Sequence, residues 1–373
     1  MLSSITELED RVLLPATRTE ALITRIFAAA GADGDEANAI AAHLVEATAS
    51  GHDSHGIIRV PRYLDALDKG HVQFGQTPEP VIDNDSFVLF EGNHGFGQVL
   101  ARDATMAGIK KAKKQGVALV GLRNAGHIGR IGAWAELACN AGTASIHFVN
   151  VGPVLLVAPH GGAERRMATN PVCIGVPNHG GDDFILDFAT SRVAEGKILV
   201  AQKAGKQVSS EFLIDGAGQP ATDPLALYGE VPPGTVPNAM RGTGALTPMG
   251  DHKGSGLGLA CELLAGALTG SGTTQSGGDK VHNGLLSVFI DPGKLDDGHA
   301  WADSVRDYIN FVHACRPSDP ASPVMIPGDP ERKSREDRLA NGIPLDHESW
   351  RNILDAGQRY GLERDEMLAV VSA

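Results

Sequence analysis

Between Gly51 and Pro61 the chain reads Gly-His-Asp-Ser-His-Gly-Ile-Ile-Arg-Val-Pro, which crowds two imidazoles, a carboxylate, a hydroxyl and a guanidinium into one short stretch. A free imidazole titrates near pH 6.5, so His55 suits proton exchange with a hydroxyl or carbonyl group. Ser54 adjoins it, and Arg59 carries the planar fork that grips a carboxylate through two parallel hydrogen bonds. A purely local reading is also open. Asp53 or Ser54 then caps a helix starting near Ile57, with His52 and His55 in solvent and Arg59 on a surface.

Other polar groups stand at the ends of apolar runs. Asp187 follows Phe184-Ile-Leu and would orient and charge-stabilise an imidazole, or else cap a helix beginning near Arg192. His127 lies in Gly126-His-Ile-Gly-Arg-Ile-Gly132, where it, Arg130 or the amides of the following helix start would suit a phosphate. Asp251-His-Lys-Gly254 is a further polar knot entering a helix, whereas His94, His147, His160 and His282 read as structural.

Several chemistries lack their signatures. The glycines of 126–132 are spaced three apart and do not form GxGxxG, and no Walker A sequence occurs. Gly254-Ser-Gly-Leu-Gly258 follows no strand and reads as close helix packing. A Ser54–His55–Asp187 hydrolase is disfavoured: neighbouring residues seldom face each other, and no GxSxG elbow surrounds Ser54. HExxH is absent, and Cys139, Cys173, Cys261 and Cys315 lie far apart, so no metal is expected.

The elements that must position these groups fall into three stretches. The first seventy residues read as helices, with Leu22, Ile23, Ile26 and Phe27 on one face, Ile40, Leu44 and Val45 on another, and a third helix from Pro61 to Gly70. Strands at 87–90, 117–122, 144–149, 172–176, 184–188 and 285–290 then alternate with helices at 99–115, 131–141 and 254–268, the mark of an α/β domain. Helices return at 301–313, 329–340, 347–360 and 364–371. The expected division is a discontinuous helical domain from 1–75 plus 295–373 around an α/β domain at 76–294, with an excursion at about 205–250.

Composition excludes other classes. With 42% hydrophobic and 21% charged residues the chain is ordinary globular material, and 373 residues suffice for a large core. Its formal charge of −13, with no basic run longer than the Lys110-Lys111 and Lys113-Lys114 pairs, disfavours nucleic acid. The beginning shows no secretory pattern, and the uncharged stretch from Leu137 to Ala163 is broken by Asn140, His147, Asn150, Pro153 and His160, so no membrane association and a cytoplasmic location are expected.

Taken together the motifs resemble the malate/L-lactate dehydrogenase family that lacks a Rossmann fold. The matching pieces are Gly51-His-Asp-Ser-His-Gly56 with Arg59 and Tyr63, Gly126–Gly132, Thr169-Asn-Pro171, Leu186-Asp-Phe-Ala-Thr-Ser191 with Gly196-Lys197, His252-Lys-Gly254, Pro327-Gly-Asp-Pro-Glu331 and Asn341-Gly-Ile-Pro344. They run in family order over nearly the whole chain, and the hydroxycarboxylate dehydrogenase branch looks most similar. The resemblance implies a mixed-sheet α/β fold with an added helical domain, usually as a homodimer. It also implies NAD as cofactor, with NADP as the alternative, and a small 2-oxo or 2-hydroxy acid substrate. By position the cofactor would meet His55, Gly129, Arg130, Ile131, Ile185, Leu186, Asp187, Phe188, Ala189, His252, Asn283, Gly328, Asp329, Pro330 and Glu331. The acid/base relay would be Ser54, His55 and Asp187, with His127 as a second choice and Arg59 on the substrate carboxylate. Ser255 stands where the family often has an aromatic residue. Reduction of a cyclic imine carboxylate, and a non-catalytic nucleotide-binding protein, are the competing expectations.

Overall fold

The computed structural model describes residues 4–372 apart from 233–236, 276, 279 and 299. Two short strands, β1 (Thr6–Glu7) and β2 (Arg11–Leu14), precede helix α1 (Ala16–Ala29), whose Leu22, Ile23, Ile26 and Phe27 face inward at helical spacing. Helix α2 (Gly34–Ala49) starts on Asp33, whose carboxylate accepts the Glu36 N–H at 2.8 Å. Two single 3₁₀ turns, Asp53–His55 and Ile57–Arg59, carry the chain into α3 (Val60–Asp68), which has Pro61 in its first turn.

The middle of the chain runs β3 (Glu79–Asp83), β4 (Phe87–Glu91), α4 (Gly97–Gln115), β5 (Val117–Ala125), α5 (Gly132–Asn140), β6 (Ala144–Gly152), β7 (Val172–Val176) and β8 (Phe184–Phe188). Helix α6 (Glu195–Lys203) follows, then β9 (Leu213–Ile214), β10 (Pro220–Ala221), α7 (Leu225–Tyr228), β11 (Ala245–Leu246), α8 (His252–Cys261) and β12 (His282–Ile290). The last stretch holds α9 (Pro292–Leu295), α10 (Trp301–His313), α11 (Asp329–Asn341), β13 (Ile343–Asp346), α12 (His347–Arg359) and α13 (Arg364–Ser372).

Seven strands form one mixed sheet in the order β3-β4-β5-β12-β6-β7-β8. Only β4 and β5 pair in parallel; the other neighbours run antiparallel. Alternate residues of β5 and β12 pack with α4 and α5 in one core around Leu100, Leu122, Trp134 and Phe289. A second core joins α1, α2 and α3 to the far end of the chain through Ile343, Leu345, Trp350, Ile353 and Met367. A third, smaller core gathers Ile198, Leu213, Leu227, Tyr228 and Leu246.

The structure corrects the sequence reading in four places. The ends are not wholly helical: β2 lies between β1 and β13 in a three-stranded sheet, with Leu14 opposite Ile343. Strands this short show no periodicity, and the partner is more than three hundred residues away. Edge strand β3 is exposed throughout and carries Pro80, so it lacks the buried alternation that betrays a strand. The stretch from Gly254 to Leu268 is not one α-helix, because α8 continues as a π-helix over Glu262–Leu268. The excursion is built around α6, α7 and the β10-β9-β11 sheet; residues 233–236 of it lie outside the described residues.

Candidate functional site

The turn after α2 depends on a close approach. A Cβ on Gly56 would lie 2.0 Å from Thr48 Oγ1, which receives the Ile57 N–H at 2.9 Å. Thr48, the penultimate residue of α2, thus fixes the path of residues 53–59. Neither Asp53 nor Ser54 caps a helix here. Asp53 pairs with Arg338 on α11, and Ser54 Oγ lies 2.9 Å from His55 Nδ1.

That path sets His55 against His127, with ring centroids 5.5 Å apart and planes inclined by 21°. His127 comes from the turn between β5 and α5, and its Nδ1 meets Tyr63 Oη of α3 at 2.7 Å. Gln98 Nε2, in the first turn of α4, donates to Tyr63 Oη at 2.9 Å and to the His127 carbonyl at 3.1 Å. Among the described residues no protein group claims Nε2 of either imidazole. Arg59 completes the group: its Nε donates to the Ser54 carbonyl at 2.6 Å, and among the described residues no carboxylate forms an ion pair with its guanidinium, Glu195 acting on it only at longer range. Burial, then the Arg59 charge, push both imidazoles well below pH 6.5, so both are neutral at pH 7.

A second group sits beside the first. Arg130 is closed off from solvent, its guanidinium clamped by Glu46 at 3.0 Å and Glu136 at 2.6 Å. Arg335 of α11 reaches the same two carboxylates at 2.6 and 2.9 Å, giving an alternating square of two cations and two anions. The pair of guanidiniums holds Glu46 down at about 2 against its burial. Arg130 Nη1 alone has no partner. Next to it Asp187 Oδ2 accepts the Gly132 N–H at 2.8 Å, at the first residue of α5.

Asp187 and His55 are therefore not hydrogen-bonded to each other, contrary to the expected carboxylate–imidazole pair. Asp187 also does not cap the helix after Arg192, since α6 begins at Glu195 on Ala194. Burial raises its pKa, and His52 and Arg130 oppose that rise. Asp187 shares His52 and Arg130 with His55 as electrostatic neighbours, so the two belong to adjoining parts of one region.

His52, read as solvated, instead bridges to Glu331 at 3.2 Å. This brings Gly328, Asp329, Pro330 and Glu331, at the start of α11, to the same region. Strand β8 joins them directly, because the Ile185 N–H bonds to the Pro327 carbonyl at 3.2 Å; Leu186, Phe188 and Ala189 follow along that strand end. Gly129 and Ile131 flank Arg130, and His43 Nε2 accepts the Arg130 N–H at 3.0 Å. Two expected contacts lie differently. The Asn283 amide is spent inside the fold, accepting from Ile128 N and donating to the Asn150 carbonyl. His252 is exposed at the start of α8 against His160, whose N–H bonds to Ser255 Oγ at 3.0 Å.

Four neutral histidines, two buried and two half-buried, carry a consequence for stability. Burial lowers His43 to about 4 and His147 to about 3, and His55 and His127 are also depressed. The unfolded chain binds these protons from pH 6.5 downward while the folded chain refuses them, so the stability present above 6.5 drains away as pH falls through the folded values. We expect the urea midpoint to fall steadily from pH 6.5 towards 4 at fixed ionic strength. A constant midpoint would contradict the neutral imidazoles.

Residues 14–354 match the malate/L-lactate dehydrogenase family. Hydroxycarboxylate dehydrogenase B of Escherichia coli (strain K12) is 36% identical over 95% of this chain and 96% of its own length. The L-lactate dehydrogenase of Cupriavidus necator is 34% identical, over 90% and 95% respectively. The structure of delta1-piperideine-2-carboxylate reductase from Pseudomonas syringae superposes with a TM-score of 0.79 at 28% identity, covering 92% of this chain and 99% of that one. Among the described residues no group of three metal-ligating side chains is assembled, and no helix is long and apolar enough to cross a membrane. By both the profile match and the extent of these likenesses, the chain belongs to the malate/L-lactate dehydrogenase family.

Proposed function

We propose that this protein is a nicotinamide-dependent oxidoreductase interconverting a 2-oxo acid and its 2-hydroxy acid. One observation carries the reading: two stacked neutral imidazoles, each with a bare Nε2, adjoin a guanidinium that has no ion-pair partner among the described residues. That combination offers proton transfer and hydrogen bonding at one atom of a substrate whose neighbouring carboxylate is anchored. The names of the hydroxycarboxylate and lactate relatives support the same substrate class.

The residues present fit a dinucleotide. Arg130 Nη1 is a buried donor without a partner, and a Cβ on Gly132 would stand 2.4 Å from it and 2.9 Å from Asp187 Oδ2, so only glycine leaves this hollow open. Gly129, Arg130 and Ile131, residues 185–189, and Gly328 to Glu331 would hold the cofactor, with His55 towards the substrate. The largely antiparallel sheet and the missing GxGxxG support a binding mode without the Rossmann turn. NAD is the proposed cofactor, NADP the alternative. When bound it supplies the hydride exchanged with the substrate carbon. Arg59 fixes the carboxylate, and His55 Nε2 takes the hydroxyl proton in oxidation and returns it in reduction. Asp187 holds the Gly132 amide and so positions the turn carrying Arg130. A homodimer in the cytoplasm, with 1–75 plus 295–373 as one helical domain around 76–294, completes the proposal; the core shared by α1–α3 with α12 and α13 supports that division.

Absorbance of reduced cofactor, followed with 2-oxo acids and cyclic imine carboxylates and with NADH and NADPH, tests it. Turnover of a 2-oxo acid is expected. Turnover of Δ1-piperideine-2-carboxylate or Δ1-pyrroline-2-carboxylate alone would move the reading to imine reduction, in line with the Pseudomonas syringae structure. Dinucleotide binding with no turnover at all would overturn it. Within the active protein, Arg59→Lys keeps the charge and loses the fork, so KM for the acid should rise roughly tenfold with kcat little changed. An unaltered KM would remove Arg59 as the anchor.

A further inference from the structure

We propose that Tyr63 and Gln98 are positioning residues that hold His127 in the tautomer with its proton on Nε2, so that this ring donates a hydrogen bond to the substrate's reacting oxygen. The proposal rests on the reading of the imidazole pair as the reacting centre.

The donor and acceptor chemistry of each group fixes the direction of each hydrogen bond. The His127 carbonyl, 3.1 Å from the Gln98 side chain, can only accept, so the nearer Gln98 atom is the amide nitrogen. The same nitrogen lies 2.9 Å from Tyr63 Oη and donates to it. Tyr63 therefore has its own proton to give, and its remaining partner is His127 Nδ1 at 2.7 Å. The Gly129 N–H also points at Nδ1, at 3.3 Å, and an amide has only a donor to offer. Two donors converge on one ring nitrogen, which must carry a lone pair; the neutral ring's proton is then on Nε2.

The arrangement is built into the chain path. A Cβ on Gly97 would fall 2.3 Å from the Gly126 carbonyl oxygen and 2.4 Å from that of His127, so glycine there lets the start of α4 press against the His127 backbone and bring Gln98 to it. The charged or titratable groups facing His127 are Arg59, His55, His43 and Arg62, with Tyr63. None is a carboxylate that would favour an imidazolium. A hydroxyl under oxidation needs one acceptor for its proton and one donor for its lone pair. His55, with Nδ1 turned to Ser54, would be the acceptor, and His127 the donor.

Long-range ¹H–¹⁵N correlation spectra of the full chain labelled at histidine, with His127→Gln to identify the resonances, read the tautomer directly. The wild type should show His127 neutral with a protonated Nε2. In Tyr63→Phe the Nδ1–H form should appear, kcat should fall about tenfold with KM within about twofold, and the acid limb of kcat should move to higher pH because Nδ1 can now take a proton. A proton on Nδ1 in the wild type, or a Tyr63→Phe protein with an unchanged tautomer and pH profile, overturns the proposal. The wild-type spectrum needs no turnover, and beyond the assignment variant it needs no Tyr63→Phe protein that folds. A chain inactive on every oxo acid would sink the proposed activity and still leave the tautomer measured.

Discussion

Asparagine in place of His55 should cut turnover about 10²–10⁴-fold, the usual worth of a positioned proton-transfer group. The fold should survive, because among the described residues the ring's hydrogen bond is to Ser54 Oγ and its ring contact is the stack on His127. Cofactor affinity should change little by comparison, which separates loss of proton transfer from loss of the site. The pH dependence supplies a second check. With its pKa held well below 6.5 by burial and by Arg59, wild-type His55 is already unprotonated at neutral pH. Oxidation of the hydroxy acid should therefore keep its rate as pH falls past 6.5, and reduction should gain as the medium becomes more acidic. Stopped-flow turnover across that range measures both directions. Full activity in His55→Asn, or an oxidation limb centred at 6.5 or above, would take His55 out of the chemistry.

Alanine at Glu46 should destabilise the protein by about 3–5 kcal/mol, the typical result of removing one partner from a buried ion pair. The reason is what it leaves behind. Arg130 has no solvent-exposed side-chain surface, so with Glu46 gone it would share Glu136 with Arg335, which keeps Ser50 Oγ and partial solvent access besides. Glu46 sits on α2, Arg130 before α5, Glu136 on α5 and Arg335 on α11, so the square rivets helices from both chain ends to the sheet layer. Arg335→Ala combined with Glu46→Ala should cost less than the sum of the single changes, since each removes the other's partner. Urea unfolding of the three proteins decides the matter. An additive double variant, or a Glu46→Ala protein as stable as the wild type, would show that the square is not coupled.

What could be read from residues alone was what is local. The cluster of Ser54, His55 and Arg59 was visible because all three lie within one turn of chain, and the helical stripe of α1 announced its buried face. Asp187 was visible as a carboxylate ending an apolar strand, but which group it meets depends on β8 lying beside β7 with α5 packed across it. Arg130 looked like a phosphate ligand because it stands in a glycine-rich turn; its carboxylate partners are Glu136, on the helix that follows, and Glu46, on a helix far away along the chain, and Arg335, which shares both, is more distant still. Tyr63 was visible only as a member of the motif with Arg59, without a role, and Gln98 gave no signal at all. Their meaning arises only where three segments meet around His127. The strand that pairs β2 escaped notice for the same reason.

That pairing bears on how the protein is made. Leu14 pairs with Ile343, and Val12 with Leu345, so β2 meets this sheet partner only after the more than three hundred residues between them have been made. Until then the apolar flanks of α1, α2 and α3 lack the residues of β13, α12 and α13 that cover them, and the nascent chain should be a client for chaperones over that interval.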